Sequence, residues 1–274
     1  MDQLSSFLKE HAEGDLICWQ YQAEAARRFR ITVAQAERAI LEMGLLPARY
    51  QRNVGTVSPK GQLVLHGSRV AVVGCGGLGG YVVEHLARLG VGTIVAVDPD
   101  LFEEHNLNRQ LLSSIEALGT PKAAAAAQRV ADINPAVTVL PVQDCFCPDN
   151  AGELIAGCSA AVDALDNVQS RLELADACNT FGVPLVHGAI AGWYGQVATQ
   201  LPGQATLRHI YRSWSSGAGV ERELGNPSFT PAAVASLQAA EVCKLLLGTG
   251  RPLTGRKLVV DLLHMDMDQF TIPA

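Results

Sequence analysis

Gly74, Gly76 and Gly79 form a G-x-G-x-x-G pattern in Gly74-Cys-Gly-Gly-Leu-Gly79, directly after the apolar run Arg69-Val-Ala-Val-Val73 and before the helix-like Tyr81 to Leu89. Glycine at such positions lets the backbone approach a pyrophosphate, and the free N–H groups of the helix start face the anion. Asp98 follows Gly79 by about 20 residues, at the end of the next apolar run, where a carboxylate accepts hydrogen bonds from ribose hydroxyls. This set describes an adenosine with phosphates. It serves hydride chemistry on NAD as well as phosphate chemistry on ATP.

The next segments discriminate between the two. Glu103-Glu-His-Asn-Leu-Asn-Arg-Gln110 and Pro121-Lys122 put Arg109 and Lys122 beyond the sheet edge, where a triphosphate would lie. A guanidinium grips phosphate oxygens through paired N–H bonds and an ammonium acts as a point charge, so together they stabilise a pentacoordinate α-phosphate and a departing pyrophosphate. Asp166, in Asp163-Ala-Leu-Asp166-Asn167, ends a further strand and suits Mg2+ held by one carboxylate plus phosphates, with Asp163 set back as a structural partner. Each residue also has a plainer role: Arg109 in a surface ion pair, Lys122 at a helix start, Asp166 as a helix cap.

The elements that must position these groups alternate. After the first strand and its helix come a strand over Thr93 to Val97, an alanine-rich helix over Lys122 to Ile133 and a strand over Val137 to Val142. Then follow a strand over Ala160 to Val162, a helix near Gln169 to Phe181 and a strand over Pro184 to His187. Such alternation specifies an α/β fold with a doubly wound, Rossmann-like parallel sheet. Past Gly192 the texture becomes irregular, and Ser213 to Thr230 reads as a long loop. Thr230 is the expected N-cap of a helix ending at Gly248, and Lys257 to Leu263 is the expected last strand, a C-terminal extension of the sheet.

Ahead of the sheet, Tyr21 to Phe29 and Val33 to Met43 read as helices, with Thr32 as N-cap and Gly44 as stop. The expected division is a helical appendage over 1–47 and a nucleotide-binding domain over 48–274. Arginines 27, 28, 30 and 38 would suit phosphate contact in a helix-turn-helix. Glu24, Glu37 and Glu42 interleave with them, which favours a solvated or packing face and makes nucleic acid an unlikely partner.

Composition narrows the class. A formal net charge of -6 gives no general attraction for polyanions, and 274 residues at 48% hydrophobic suit one large core with an appendage. The sequence carries no apolar run of membrane-spanning length and no basic-then-apolar start, so a cytoplasmic protein without membrane attachment is expected. Seven cysteines without a Cys-x-x-Cys pair read as reduced thiols. Cys145 and Cys147 supply two ligands at most, and Cys243 sits in an apolar helix. His105, His187 and Trp193 are candidates to border the site, with packing as the competing reading.

Taken in order, Gly-Cys-Gly-Gly-Leu-Gly, Asp98-Pro-Asp, Asn106-Leu-Asn-Arg-Gln, Lys122, Asn134-Pro and Ala164-Leu-Asp166-Asn resemble the ThiF/MoeB/HesA family of ubiquitin-activating-type adenylyltransferases, from about Arg49 to Leu263. The resemblance implies that Gly74, Gly76, Gly77, Gly79 and Asp98 contact ATP, that Asn106, Asn108, Arg109 and Lys122 surround the triphosphate, and that Asp166 and Asn167 sit at Mg2+ and the phosphates. It also implies a homodimer in which an arginine reaches into the partner's site, with Arg52 a better match than Arg49. The implied substrate is the C-terminal Gly-Gly carboxylate of a small ubiquitin-like, β-grasp sulfur-carrier protein, and the Ser213 to Thr230 loop would channel its tail. The zinc cysteine pairs and the crossover-loop cysteine of some family members are replaced here, by Leu207 to Arg212 and Asp266 to Gln269 for the pairs and by Arg222 to Thr230 for the loop. Zinc is therefore not expected and the reaction stops at the adenylate. An NAD-dependent oxidoreductase and an ATP-sensing module with a DNA- or protein-binding N-terminus are the alternatives.

Overall fold

The computed structural model describes residues 3–213 and 221–272. The chain begins with α1 (Gln3–Glu10), β1 (Leu16–Ile17), α2 (Trp19–Phe29), α3 (Val33–Glu42) and β2 (Leu46–Pro47), and β1 pairs in parallel with β2. Thr32 caps α3 in a reciprocal box: its hydroxyl accepts from the Gln35 N–H, and Gln35 accepts from the Thr32 N–H. Phe7, Leu8, Ile17, Ala25, Ala36 and Ile40 bury one another as a small separate core.

Next come α4 (Pro59–Gly67), β3 (Arg69–Val73), α5 (Gly77–Leu89), β4 (Thr93–Val97), α6 (Lys122–Ile133), β5 (Thr138–Val142), α7 (Ala151–Ile155), β6 (Ala160–Asp163) and α8 (Val168–Phe181). The chain continues through β7 (Leu185–Ala191), β8 (Tyr194–Gln200), α9 (Thr206–Ile210), α10 (Glu221–Leu224), α11 (Phe229–Leu247), β9 (Arg256–Asp261) and β10 (Asp266–Thr271). Among the described residues an eight-stranded sheet runs β10-β9-β8-β7-β6-β3-β4-β5, parallel from β7 to β5 and antiparallel from β7 to β10. Because successive strand residues point to opposite faces, Val70, Val72, Ile94 and Ala96 join the core beneath α5, α6 and α11, while Ala71, Val73, Val95 and Val97 join the core beneath α7 and α8.

Four expectations need correction at the C-terminal end. The irregular stretch after Gly192 contains β8, and Lys257 to Leu263 is not the last strand, because β10 folds back on β9. Thr230 does not cap α11. It lies inside the first turn, buried, with its hydroxyl donating to the Gly192 carbonyl at 2.6 Å, and Ser228 occupies the cap position. Of the expected loop from Ser213 to Thr230, residues 214–220 lie outside the described residues, and α10 interrupts the remainder. No helix among the described residues is long and apolar enough to cross a membrane.

A buried carboxylate links the N-terminal helices to the part of the chain that carries the large sheet, beside an apolar contact of Leu41, Leu46 and Tyr50 with Leu63. Glu37 accepts from Gln22 (3.0 Å), Arg49 (2.5 Å) and Tyr50 (2.8 Å), and Arg49 continues to Asn134 (3.1 Å). Of the four arginines that would suit nucleic acid, Arg28 lies over the Phe7 and Phe29 rings, and Arg38 pairs with Glu42 on the surface. Burial pushes the Glu37 carboxyl up, but His66, Arg49, Gln22 and Tyr50 more than reverse this and hold it below the ordinary 4.5. A depressed carboxylate pKa gives stability that is complete above the unfolded value and disappears as pH falls through the folded one. Arg49→Ala, which strands a buried charge, should cost about 3 kcal/mol in urea unfolding at pH 7. The wild-type advantage over Arg49→Ala should shrink as pH falls below 4.5.

Candidate active site

β3 and β6 are direct neighbours, with Val73 level with Asp163. The chain moves outward from β3 through β4 and β5 and returns to lay β6 on the other side of β3. At such a switch point the helices leave to opposite faces, which opens a crevice at the carboxyl ends of the strands. Here it is a cleft of about 330 Å³ whose lining includes Gly74, Gly76, Gly77, Asp98, Arg109, Lys122, Asp166 and Asn167.

The glycines divide by cause. Gly74 has φ of 96°, and a Cβ there would stand 2.5 Å from the Ala164 carbonyl oxygen; one on Gly79 would stand 1.7 Å from the Gly74 oxygen. These two are required by the fold. A Cβ on Gly76 or Gly77 would meet only ordinary contacts, Gln110 at 3.5 Å and Pro231 at 3.6 Å. Both glycines line the cleft, so the α5 N-terminus faces the opening, and Gly76 caps that helix without a side-chain bond. First-turn N–H groups in that arrangement are donors for an anion.

Asp98 closes the loop from below. Its Oδ2 accepts from the Cys75 N–H at 2.6 Å and its Oδ1 from the Asp100 N–H at 2.9 Å. Burial pushes this carboxyl above the ordinary 3.8 despite the Cys75 N–H and the Lys122 charge. Each oxygen retains a lone pair, so Asp98 ties the glycine loop to β4 and can still accept from a ribose hydroxyl. The buried Lys122 opens α6 and pairs with Asp100 at 2.8 Å on the cleft wall. Arg109, also on the cleft wall, donates through Nη1 to the His105 carbonyl (3.1 Å) and Asn108 Oδ1 (2.8 Å).

Asn167 caps α8, its Oδ1 accepting from the Ser170 N–H at 2.8 Å. The capping role thus falls to Asn167, and the exposed Asp166 carboxylate is left for the cleft. Asn106 and Asn108 are not among the described lining residues. Asn106 is buried and accepts from the Glu103 N–H (3.0 Å), and Asn108 donates to the Asn226 carbonyl (3.1 Å), so both brace the segment that carries Arg109. Arg52 is exposed on the 3-10 helix Ala48–Asn53, outside the described lining of its own chain's cleft.

His187 is wholly buried behind the site, His105 is exposed beside Glu103, and Trp193 packs on Phe229 at 4.5 Å. None lines the cleft among the described residues. Burial pushes the Cys243 thiol up to about 11, which removes it as a nucleophile at neutral pH. Sequence reasoning missed Gln110, Asp144, Cys145, Phe146, Ser170, Arg171 and Asn226 in the lining. Arg171 was reachable in principle, since it follows Asn167 by one turn of α8 on the same face.

A model of the ThiF family matches residues 50–274. The chain belongs to the ThiF family. It is 41% identical over 229 residues to the SAMP-activating enzyme E1 of Haloferax volcanii, covering 82% of this chain and 84% of that one. It is 38% identical over 234 residues to the sulfur carrier protein adenylyltransferase of Thermus thermophilus, covering 82% and 86%. To the molybdopterin-synthase adenylyltransferase of Salmonella typhimurium the identity is 37% over 206 residues, covering 74% and 83%. The crystal structure of E. coli MccB with MccA-N7isoASN shares the fold, with a TM-score of 0.70 at 19% identity over 88% of this chain and 78% of that one.

The two kinds of glycine separate in a mutational test. Gly79→Ala should destabilise by about 3 kcal/mol, because its methyl group meets backbone that cannot give way. Gly77→Ala should keep or slightly raise stability, as a helix residue, yet weaken binding of a non-hydrolysable ATP analogue about 10-fold in calorimetry.

Proposed function

We propose that the protein uses ATP to adenylate the C-terminal glycine carboxylate of a small ubiquitin-like, β-grasp sulfur carrier, in the supply of sulfur to a thiamine- or molybdopterin-type cofactor. The observation that carries this reading is the facing of the glycine loop and Asp166 across one switch-point cleft, with Arg109 and Lys122 on its walls. Kinship with enzymes named as adenylyltransferases of sulfur carriers and molybdopterin synthase supports it.

The reaction needs no protein nucleophile, because the attacking carboxylate is already ionised. A carrier carboxylate oxygen forms a bond to the α-phosphorus as the bond from that phosphorus to the bridging oxygen breaks. Pyrophosphate leaves with the electron pair, and the acyl-adenylate remains. The protein's part is positioning and charge: N–H groups at the α5 start receive phosphate oxygens, Asp98 fixes the ribose, and Arg109 and Lys122 stabilise the negative charge that builds on the α-phosphate and leaving group. Asp166 would hold Mg2+ together with the phosphates, and the ion would supply further charge neutralisation there. The donor set fits that manner of binding: one exposed carboxylate at the cleft, and among the described residues no group of three or more His, Cys, Asp or Glu able to form an all-protein cage.

A hydride-transfer enzyme would leave Arg109, Lys122 and Asp166 without a task. Arg52, exposed on its own chain, is the arginine we assign to the partner's cleft in a cytoplasmic homodimer.

Carrier-dependent exchange of labelled pyrophosphate into ATP is the expected activity, and Asp166→Ala should lower it at least about 100-fold. Exchange that ignores the carrier, or survives in Asp166→Ala, would overturn the reading. Mixing Arg52→Ala with Asp166→Ala protein, each inactive alone, should restore exchange through mixed dimers that carry one intact site.

A further inference from the structure

Leu165, which precedes Asp166, has both of its backbone groups held by side chains. Its N–H donates to Asp163 Oδ1 at 3.0 Å, and its carbonyl accepts from Arg171 Nε and Nη2 at 3.2 and 2.6 Å. Those two side chains are themselves joined behind the cleft. Arg171 Nη1 donates to the Tyr211 hydroxyl at 2.5 Å, that hydroxyl stands 3.2 Å from His187 Nε2, and His187 Nδ1 stands 2.6 Å from Asp163 Oδ2. The chain of bonds returns to its starting residue. It is a closed ring through elements as far apart in sequence as β6, α8, β7 and the end of α9.

Proton bookkeeping fixes the direction of each bond. Arg171 is donor only, and the Gln196 amide nitrogen, also a donor, stands 3.3 Å from both the Tyr211 hydroxyl and His187 Nε2, so Nε2 is an acceptor. With both donors on its oxygen, Tyr211 gives its one proton to His187 Nε2. His187 must then be the neutral tautomer with its proton on Nδ1, donated to Asp163. Burial acts the same way on both groups, holding His187 towards its neutral form and the Tyr211 phenol towards its protonated form.

We propose that this ring is the device that sets the position of Asp166, which makes Arg171, on the cleft wall, and Tyr211 and His187, outside its described lining, positioning residues for adenylation. The inference rests on the reading of Asp166 as the carboxylate that meets Mg2+ and the phosphates. The order of the ring explains why a fully buried Asp-His pair lies under a site whose chemistry has no use for a general base.

Tyr211→Phe removes one hydroxyl from the middle of the ring and leaves the aromatic ring to pack edge-on against His187, as it does now at 5.6 Å. Binding of a fluorescent ATP analogue, titrated with and without Mg2+ and with no carrier present, is the primary measurement. Wild type should bind more tightly when Mg2+ is added. Tyr211→Phe should match wild type without Mg2+, keep a melting temperature within a few degrees, and lose most of the gain, with the Mg2+ midpoint raised about 10-fold or more. Arg171→Lys, which keeps the charge but not the two-pronged grip on Leu165, should show the same defect. In pyrophosphate exchange both should lower kcat with little change in KM for ATP.

An unchanged Mg2+ response in both variants would overturn the proposal. So would an equal loss of binding with and without Mg2+ alongside a large fall in melting temperature, which would mark a purely structural role. Failure of the wild type to exchange with any carrier would strike at the adenylation reading instead, since the carrier-free titration decides the ring's role without it.

Discussion

The site depends on how closely two strand ends are pressed together. Gly74, after β3, lies so near the Ala164 carbonyl, after β6, that no side chain fits between them, and the Ala164 N–H reaches back to the Val73 carbonyl at 3.0 Å. That approach puts the anion-binding helix start and the Asp166 turn on opposite lips of one cleft. The stacking of Gly79 on Gly74 then fixes the angle at which α5 leaves the sheet. A side chain at either glycine would separate the two halves of the site before it disturbed any residue that meets a ligand.

Charges in the protein are handled in two ways. At the cleft, Lys122 is held by the exposed Asp100 carboxylate and Arg109 by a carbonyl and an amide oxygen, and both cations line the opening. In the interior, Glu37 and Asp163 are completely buried and surrounded by donors, because an uncompensated carboxylate there would cost several kcal/mol. Glu241 follows the same rule, accepting from Thr199 (2.6 Å) and from the Leu253 N–H (2.7 Å).

What was legible in the sequence was local. β3, β4 and α6 begin and end where periodicity and flanking turn residues place them, and the Thr32 cap is a four-residue pattern. β8 escaped because Tyr194-Gly-Gln-Val-Ala-Thr-Gln200 mixes glycine and polar residues, whose burial comes from pairing with β7 and β9 and from the packing of α11 on the strand. β10 is exposed along its whole length and has no apolar alternation to reveal it. Among the residues that line the cleft, Gly74, Asp98, Arg109, Lys122 and Asp166 were legible through motif spacing. Tyr211 was not, and His187 was legible only as a candidate to border the site, since their hydrogen-bond partners Arg171 and Asp163 lie 40 and 24 positions away. The bracing role of Asn106 and Asn108 was equally hidden, because a motif names residues and not the direction of their bonds.

The Asn134 amide gives the back of the molecule a mechanical role. Its Nδ2 donates to the Ala87 carbonyl in α5 and to the Tyr50 hydroxyl, both at 2.8 Å, while Asn134 itself ends α6. The two helices whose starts carry the glycine loop and Lys122 are thus fastened together at their far ends, and Arg49 and Glu37 extend the fastening into the N-terminal helices. α6 has 12 residues, and at about 1.5 Å per residue it is a strut of about 18 Å. A partner that grips the N-terminal helices would be pulling on a lever whose other end is the lysine in the nucleotide cleft.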